Sequence, residues 1–286
     1  MKTEEELLQL RTARFAEQIR LETIKELVSL GFGHIGGCMS ICELLAVLYS
    51  GGMRRWGEAG GDIFICSKGH AGPAVYAALA LSGSMPLSML NELNRPGTRL
   101  PSHCDRRLTP GVDMTTGSLG QGLSVGVGAA LGRRLDGLDS RVYVLIGDGE
   151  AQEGQIWEAA MAASQYGLSN LVAFIDYNKY QINGAVNEVN DICNFADRFA
   201  SFRWSTLSVN GHDVGAVRSA IEDARSSKRP TAIILDTVKG YGCKYALEQP
   251  RCHSLNMPAD KLQESIALTK ERIAAYSRAL EGGENS

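Results

Sequence analysis

Two loops hold the side chains best suited to chemistry: Gly147-Asp148-Gly149-Glu150, after the apolar run Val142 to Ile146, and Asp176-Tyr177-Asn178-Lys179-Tyr180, at the end of the run from Leu171. One helix and one strand separate Asp148 from Asn178, so the two side chains can meet above neighbouring strands. Magnesium takes six oxygen ligands and few carboxylates, filling its shell with carbonyls, water and phosphate oxygens. Asp148, the Asn178 amide oxygen and a backbone carbonyl near Tyr180 could supply three, leaving room for a diphosphate. Gly147 and Gly149 allow close backbone approach. An Asp-Gly turn followed by a helix-capping Asn would produce the same residues.

A second candidate is Thr115-Thr116-Gly117-Ser118-Leu119-Gly120-Gln121-Gly122, opening a helix of small residues through Gly126, Gly128, Ala129 and Ala130. A glycine-rich helix entry can cradle an anion with its free backbone N–H groups. It matches neither a dinucleotide fingerprint nor a P-loop, which needs G-K-[ST]. A helix packed tightly through small residues is the other reading.

All five histidines, His34, His70, His103, His212 and His253, fall in expected loops and none on a helix face. That distribution predicts a polar cleft where imidazoles bind a hydroxyl-rich substrate and move protons near neutral pH. The pairs His103-Cys104 and Cys252-His253 suggest zinc by residue type, but ligand spacing is absent. The seven cysteines are odd in number, scattered and without a C-x-x-C pair, which reads as reduced thiols.

These loops need a frame. Leu8, Phe15, Ile19, Ile24, Leu27 and Val28 recur at helical spacing over residues 4–30, a segment that Gly31 and Gly33 stop. A second helix is expected from about Met39 to Tyr49, a strand at Asp62 to Cys66, and a helix from Pro73. From Val142 onward the chain alternates: strand 142–146, helix 151–166, strand 171–176, strand 204–209, helix 214–225, strand 232–236. Such alternation implies βαβ crossovers and a parallel sheet covered on both faces. The expectation is one doubly wound α/β domain over 1–286, with an N-terminal helical extension over about 1–30 and a frayed end at about 280–286. Ligands in such sheets bind where strands end, among helix N-termini.

Composition excludes several classes. With 29 basic and 32 acidic side chains, a formal charge of −3, there is no electrostatic footprint for nucleic acid. Glu4 to Glu6 stand where a targeting peptide would be basic, and the longest apolar run, Ala74 to Leu81, is far short of the roughly 18 residues of a membrane span. A cytoplasmic protein bound to neither membrane nor nucleic acid is expected.

Together the motifs Gly33-His34-Ile35-Gly36-Gly37, Ser67-Lys68-Gly69-His70, Pro110 through Gly122, Gly147-Asp148-Gly149-Glu150 with Glu153-Gly154, and Asp176-Tyr177-Asn178 occur in one order over about 20–255. In this the chain resembles the N-terminal, diphosphate-binding half of transketolase, a thiamine diphosphate enzyme. The resemblance implies that Asp148, Asn178 and the Tyr180 carbonyl hold magnesium, or calcium or manganese in its place. His70, Gly149, Glu150 and Asn178, with Gly117, Ser118 and Leu119, would bind the cofactor. His34, His103 and His253 would line a sugar channel, and Glu153 would lie between the two active sites of a dimer. The implied reaction moves a two-carbon glycolaldehyde unit from a ketose to an aldose, as in pentose phosphate metabolism.

Familiar transketolases are about twice as long, and no segment after residue 260 is long enough for their pyrimidine-binding domain. The resemblance therefore implies one half of a split enzyme, active only with a partner carrying that domain, in a two-plus-two heterotetramer. Arg251-Cys252-His253-Ser254-Leu255 departs from the family's histidine loop around His253. A 2-oxo-acid dehydrogenase subunit would share the Asp-Gly and Asn pair but not the histidine loops. A nicotinamide dehydrogenase lacks its fingerprint here. A non-catalytic or regulatory binding protein of the same fold is the remaining alternative.

Overall fold

The computed structural model describes residues 2–54, 58–249 and 253–284. Helix α1 (Glu4–Leu30) begins with a reciprocal cap: the Thr3 hydroxyl accepts from the Glu6 N–H at 3.1 Å, and the Glu6 carboxylate accepts from the Thr3 N–H at 2.7 Å. Gly31, at φ 91°, closes the helix in a conformation that a Cβ would oppose. Then follow β1 (Phe32–Gly33), α2 (Ile35–Met39), α3 (Cys42–Val47), β2 (Ile63–Cys66) and α4 (Gly72–Leu81). The central run is α5 (Gln121–Leu135), β3 (Val142–Gly147), α6 (Gly154–Gln165) and β4 (Leu171–Tyr177). A small hairpin, β5 (Tyr180–Gln181) and β6 (Gly184–Ala185), leads to α7 (Val186–Val189) and α8 (Phe195–Ser201). The chain continues with β7 (Ser205–Asn210), α9 (Val214–Ser226), β8 (Thr231–Asp236), α10 (Lys244–Leu247), β9 (Leu255–Asn256) and α11 (Ala259–Glu284).

Five strands form one parallel sheet in the order β2-β3-β4-β8-β7. Side chains alternate across it. Tyr143, Leu145, Val172, Phe174, Ile233 and Leu235 pack against α1 to α4 and α9, while Ile65, Val144, Ile146, Ala173 and Ile175 pack against α5, α6 and α8. Both faces are thus covered, as the continuous apolar strands require. The expected doubly wound sheet is the fold observed.

Three local expectations change. The helix expected over 39–49 is broken at Ser40 and Ile41 and ends in a π turn, Leu48–Gly52: Ile41, at φ −115° and ψ 4°, leaves the helical path, and the Ser40 hydroxyl donates to Asp176 at 2.8 Å. Helix α1 is no extension: Ile19, Arg20 and Ile24 are fully buried, packed with α3, α4 and α11. Of the C-terminal segment expected to fray, 280–284 are helical with Leu280 buried, and 285–286 lie outside the described residues. No described helix is long and apolar enough to cross a membrane. Of the cysteines, six are described and all six are free thiols; Cys252, with Pro250 and Arg251, lies outside the described residues.

Candidate active site

Register places the two chemical loops side by side. Gly147 pairs with Asp176 and Tyr177 with Asp236, so the loops after β3, β4 and β8 open at one edge of the sheet. There they line a cleft of about 350 Å³ with Gly37, Lys68, His70, Leu119, Asp148, Gly149, Asn178, Tyr180, Lys239 and His253 among its walls.

Asp148 is 3% exposed. Its two carboxylate oxygens accept only backbone N–H groups, from Gly149 at 2.8 Å and Lys179 at 2.6 Å. Burial, and then the nearby Asp176 carboxylate, push its pKa up to about 7. A buried carboxylate with that shift gains most from a cation supplied from outside. Asn178 is fixed between Asp176, to which its amide donates at 2.8 Å, and the Tyr180 N–H, which donates to its oxygen at 3.2 Å. The described residues contain no group of three or more His, Cys, Asp or Glu able to hold a metal. A cation at Asp148 would therefore draw on amide and carbonyl oxygens, the hard-donor mixture that suits magnesium. The donor set fits that ion, and Gly149, whose Cβ would lie 2.5 Å from Gln181 Oε1, keeps the approach narrow and backbone-lined.

Asp176 holds the frame together. Its Oδ2 accepts from Lys68 Nζ at 2.5 Å, Ser40 at 2.8 Å and Asn178 at 2.8 Å, and its Oδ1 accepts from Thr237 at 2.6 Å. Burial opposes the charge, but Lys68 and the hydroxyl and amide donors keep Asp176 below the usual carboxylate range. Lys68 also donates to the Gly37 carbonyl at 2.9 Å, tying the loop after β2 to the first histidine loop.

Four of the five histidines converge. The His34 ring centroid lies 4.9 Å from His253, 5.4 Å from His70 and 6.0 Å from His103, and His70 lies 4.7 Å from His253. His34 and His253 meet because β1 pairs antiparallel with β9, Gly33 opposite Leu255. Burial, then the mutual repulsion of the rings and nearby lysines, lowers all of His34, His70 and His253, the last to about 4; burial alone lowers His103. All four are neutral at pH 7, so each ring offers one donor and one acceptor. The expectation of one cleft for all five fails for His212, which stacks on Tyr241 in another region.

The glycine loop takes its place by close approach. A Cβ on Gly69 would sit 2.8 Å from the Gly117 backbone, and one on Gly117 would meet His103 at 3.0 Å. Thr116 anchors the loop by donating to the Cys66 carbonyl at 2.7 Å. Leu119 borders the cleft at 38% exposure, and Gly120 is left-handed at φ 84°. Glu150, expected to touch a cofactor, is buried and lines the cleft. Its carboxylate accepts from the Ser67 hydroxyl and from the N–H groups of Gly120 and Gly147, both at 3.0 Å, so it braces three loops. Glu153 borders the cleft with an exposed side chain.

Residue type and spacing do not single out Lys239, yet it is 3% exposed, lines the cleft and donates to the Tyr180 carbonyl at 3.2 Å. The available signal is its place in the loop leaving the strand at 231–236, where ligands bind in parallel sheets.

Residues 11–274 match the family model described as transketolase, thiamine diphosphate binding domain. The chain is 47% identical to 6-deoxy-6-sulfo-D-fructose transketolase subunit SqwG of a Clostridium species, over 90% of this chain and 95% of that one. It is 36% identical to one of the subunits of apulose-4-phosphate transketolase from Phocaeicola vulgatus, over 93% and 96% of the two chains. Among solved structures, transketolase from Campylobacter jejuni superposes with a TM-score of 0.81 at 26% identity, covering 99% of this chain and 47% of that one. This chain thus spans about half the length of that solved transketolase. With the family model across most of its length and subunit relatives matched nearly end to end, the chain belongs to the transketolase family, as its N-terminal, thiamine diphosphate-binding part.

Proposed function

We propose that this chain works as the thiamine diphosphate and magnesium-binding subunit of a two-chain transketolase, completed by a partner carrying the pyrimidine-binding domain in a two-plus-two assembly. The observation that carries this reading is the meeting, in one cleft, of the Asp148, Asn178 and Tyr180 oxygens with His70 and His253, with His34 and His103 in ring contact behind them. The chemistry such a cofactor supplies is an electron sink that lets a ketose cleave beside its carbonyl and release a two-carbon unit to an aldose.

This chain's residues do the binding and orientation. Asp148, the Asn178 amide oxygen and the Tyr180 carbonyl hold the metal, and Gly149 and His70 meet the diphosphate. Gly117, Ser118 and Leu119 form the adjoining wall. The neutral imidazoles of His34, His103 and His253 hydrogen-bond sugar hydroxyls and accept or return protons there. Lys239 adds a buried positive charge between the metal loop and the histidines. Glu153 reaches toward the neighbouring copy in the assembly.

The names of the two subunit relatives specify a sulfonated and a phosphorylated sugar. By that analogy the donor here is a ketose with an anionic end. Among the described residues no arginine lines the cleft, and the group that meets this anion is assigned to the partner.

The test begins with capture of the chain from its native cell and identification of a stoichiometric second subunit. Titration calorimetry of the complex should show magnesium-dependent binding of thiamine diphosphate, absent in Asp148→Ala, and a ketose panel should show glycolaldehyde transfer. Cofactor binding unchanged in Asp148→Ala would overturn the metal assignment, and a self-sufficient homo-oligomer would overturn the two-chain reading.

A further inference from the structure

The strap of residues 237–243, which leaves β8, has one side on the active site and the other on a buried group of charged side chains. On the site side, Thr237 donates to Asp176, Lys239 donates to the Tyr180 carbonyl, and the Gly240 N–H donates to the Gly36 carbonyl at 3.0 Å. On the far side, the His212 ring stacks on Tyr241 with centroids 3.6 Å apart and planes at 14°. The Val238 N–H donates to His212 Nε2 at 2.9 Å. A nitrogen that accepts this bond carries no hydrogen, so the ring hydrogen lies on Nδ1. From there it reaches Glu43 Oε2 at 3.2 Å.

Glu43 is itself held by Arg20 at 2.5 Å, and Arg20 Nε donates to the Tyr241 carbonyl at 3.1 Å. Arg272 donates to the Gly242 carbonyl at 2.7 Å and to Glu17 at 2.9 Å. A Cβ on Gly242 would lie 2.4 Å from Arg20 Nε, so the strap rests directly on that guanidinium. The strap is therefore gripped from behind at Val238, Tyr241 and Gly242, while Thr237 and Lys239, the neighbours of Val238, reach forward.

We propose that His212, held as the Nδ1–H tautomer between Val238 and Glu43, is a positioning residue that sets this strap and so places Thr237 and Lys239 in the site. The proposal rests on the functional reading above, because the ligand that Lys239 serves is the one assigned there. His212 itself touches neither the cleft nor the histidine cluster. A histidine is required because one ring must stack flat on Tyr241, accept from a backbone N–H and donate to a carboxylate.

The first test uses nitrogen-15-labelled full-length chain, whose ring correlations report the tautomer at pH 7. The second compares His212→Phe, which keeps the stack and loses both hydrogen bonds, with His212→Gln, which can still accept from Val238. The Phe variant is expected to speed amide exchange at 238–240 and to weaken magnesium-dependent thiamine diphosphate binding by the assembled enzyme by about tenfold, with the Gln variant restoring affinity to within about twofold of the parent. An Nε2–H tautomer, or a Phe variant with unchanged exchange and affinity, would overturn the proposal. Should the Phe variant fail to fold, the parent tautomer and the Gln variant decide. Failure of the parent enzyme to bind the cofactor would instead overturn the functional reading, while tautomer and exchange still judge the strap.

Discussion

The molecule contains two buried charge systems built from similar groups, and they are finished to different degrees. Behind the strap, Arg20 is fully buried with Glu17 at 2.7 Å and Glu43 at 2.5 Å, and Arg272 closes the set on Glu17. Burial works against the Arg20 charge, but Glu43 and Glu17 outweigh it and hold the guanidinium more firmly protonated than usual. Burial likewise opposes Glu43, which Arg20 and then His212 keep below the usual carboxylate range. In the cleft, Lys68 and Asp176 form an equally close pair, yet Asp148 beside them has only backbone N–H partners and a raised pKa. The first system pairs each buried carboxylate with a cation; in the second, Asp148 accepts from backbone N–H groups alone. A closed network fixes structure, whereas an open one binds.

Perturbing each system should separate these roles. The largest expected effect is Arg20→Met, which strips the buried Glu43 of its guanidinium and leaves Glu17 with Arg272 alone, and should cost about 3–5 kcal/mol in urea unfolding. A loss below about 1 kcal/mol would mean that the network is looser than its distances imply. Next, Lys239→Met should weaken thiamine diphosphate binding by the assembled enzyme by about tenfold, or about 1.4 kcal/mol, with little change in the unfolding midpoint. Unaltered affinity would move Lys239 from the site to the scaffold.

Asp148→Asn should have the opposite sign from Arg20→Met. At pH 8, without cofactor, it should stabilise the chain by about 1 kcal/mol, because relief of the buried charge outweighs the one backbone N–H that an amide cannot accept. Destabilisation would show that Asp148 is already compensated. The smallest effect is in the histidines. Their folded pKa values lie below the unfolded value of roughly 6.5, so the unfolded chain takes up protons first and stability falls as pH drops from there toward about 4. Since all four rings are only partly buried, we expect about 1 kcal/mol per pH unit at most, reduced in His70→Asn. A flat profile in the parent would show that the four rings are already screened by solvent.

Much of this arrangement is legible in the residues because it is local. The apolar strands, the capped first helix and the glycine that ends it follow from patterns within a few turns of chain. The pairing of Asp148 with Asn178 is legible too, since regular βαβ spacing fixes adjacent strand ends. What escapes depends on distant contacts. His212 has the same Gly-His setting as His34 and His70, and only Tyr241, Val238 and Glu43 distinguish it. His253 reaches His34 through a ladder of two residues on each strand, too short to leave a periodicity. The break at Ser40 and the cleft position of Lys239 likewise depend on Asp176 and Tyr180, contributed by remote segments.

The four donors on Asp176 bear on how the chain matures. Ser40, Lys68 and Thr237 come from separate stretches of sequence and reach the carboxylate only once β2 has joined the sheet through β3, β8 has paired with β4 and the segment after α2 has closed over them. Closing such long loops is entropically slow, so these contacts belong to the late stage of folding. A half-made chain therefore has no pocket. Any ligand or partner that recognises the pocket thereby selects completed molecules, and assembly doubles as inspection.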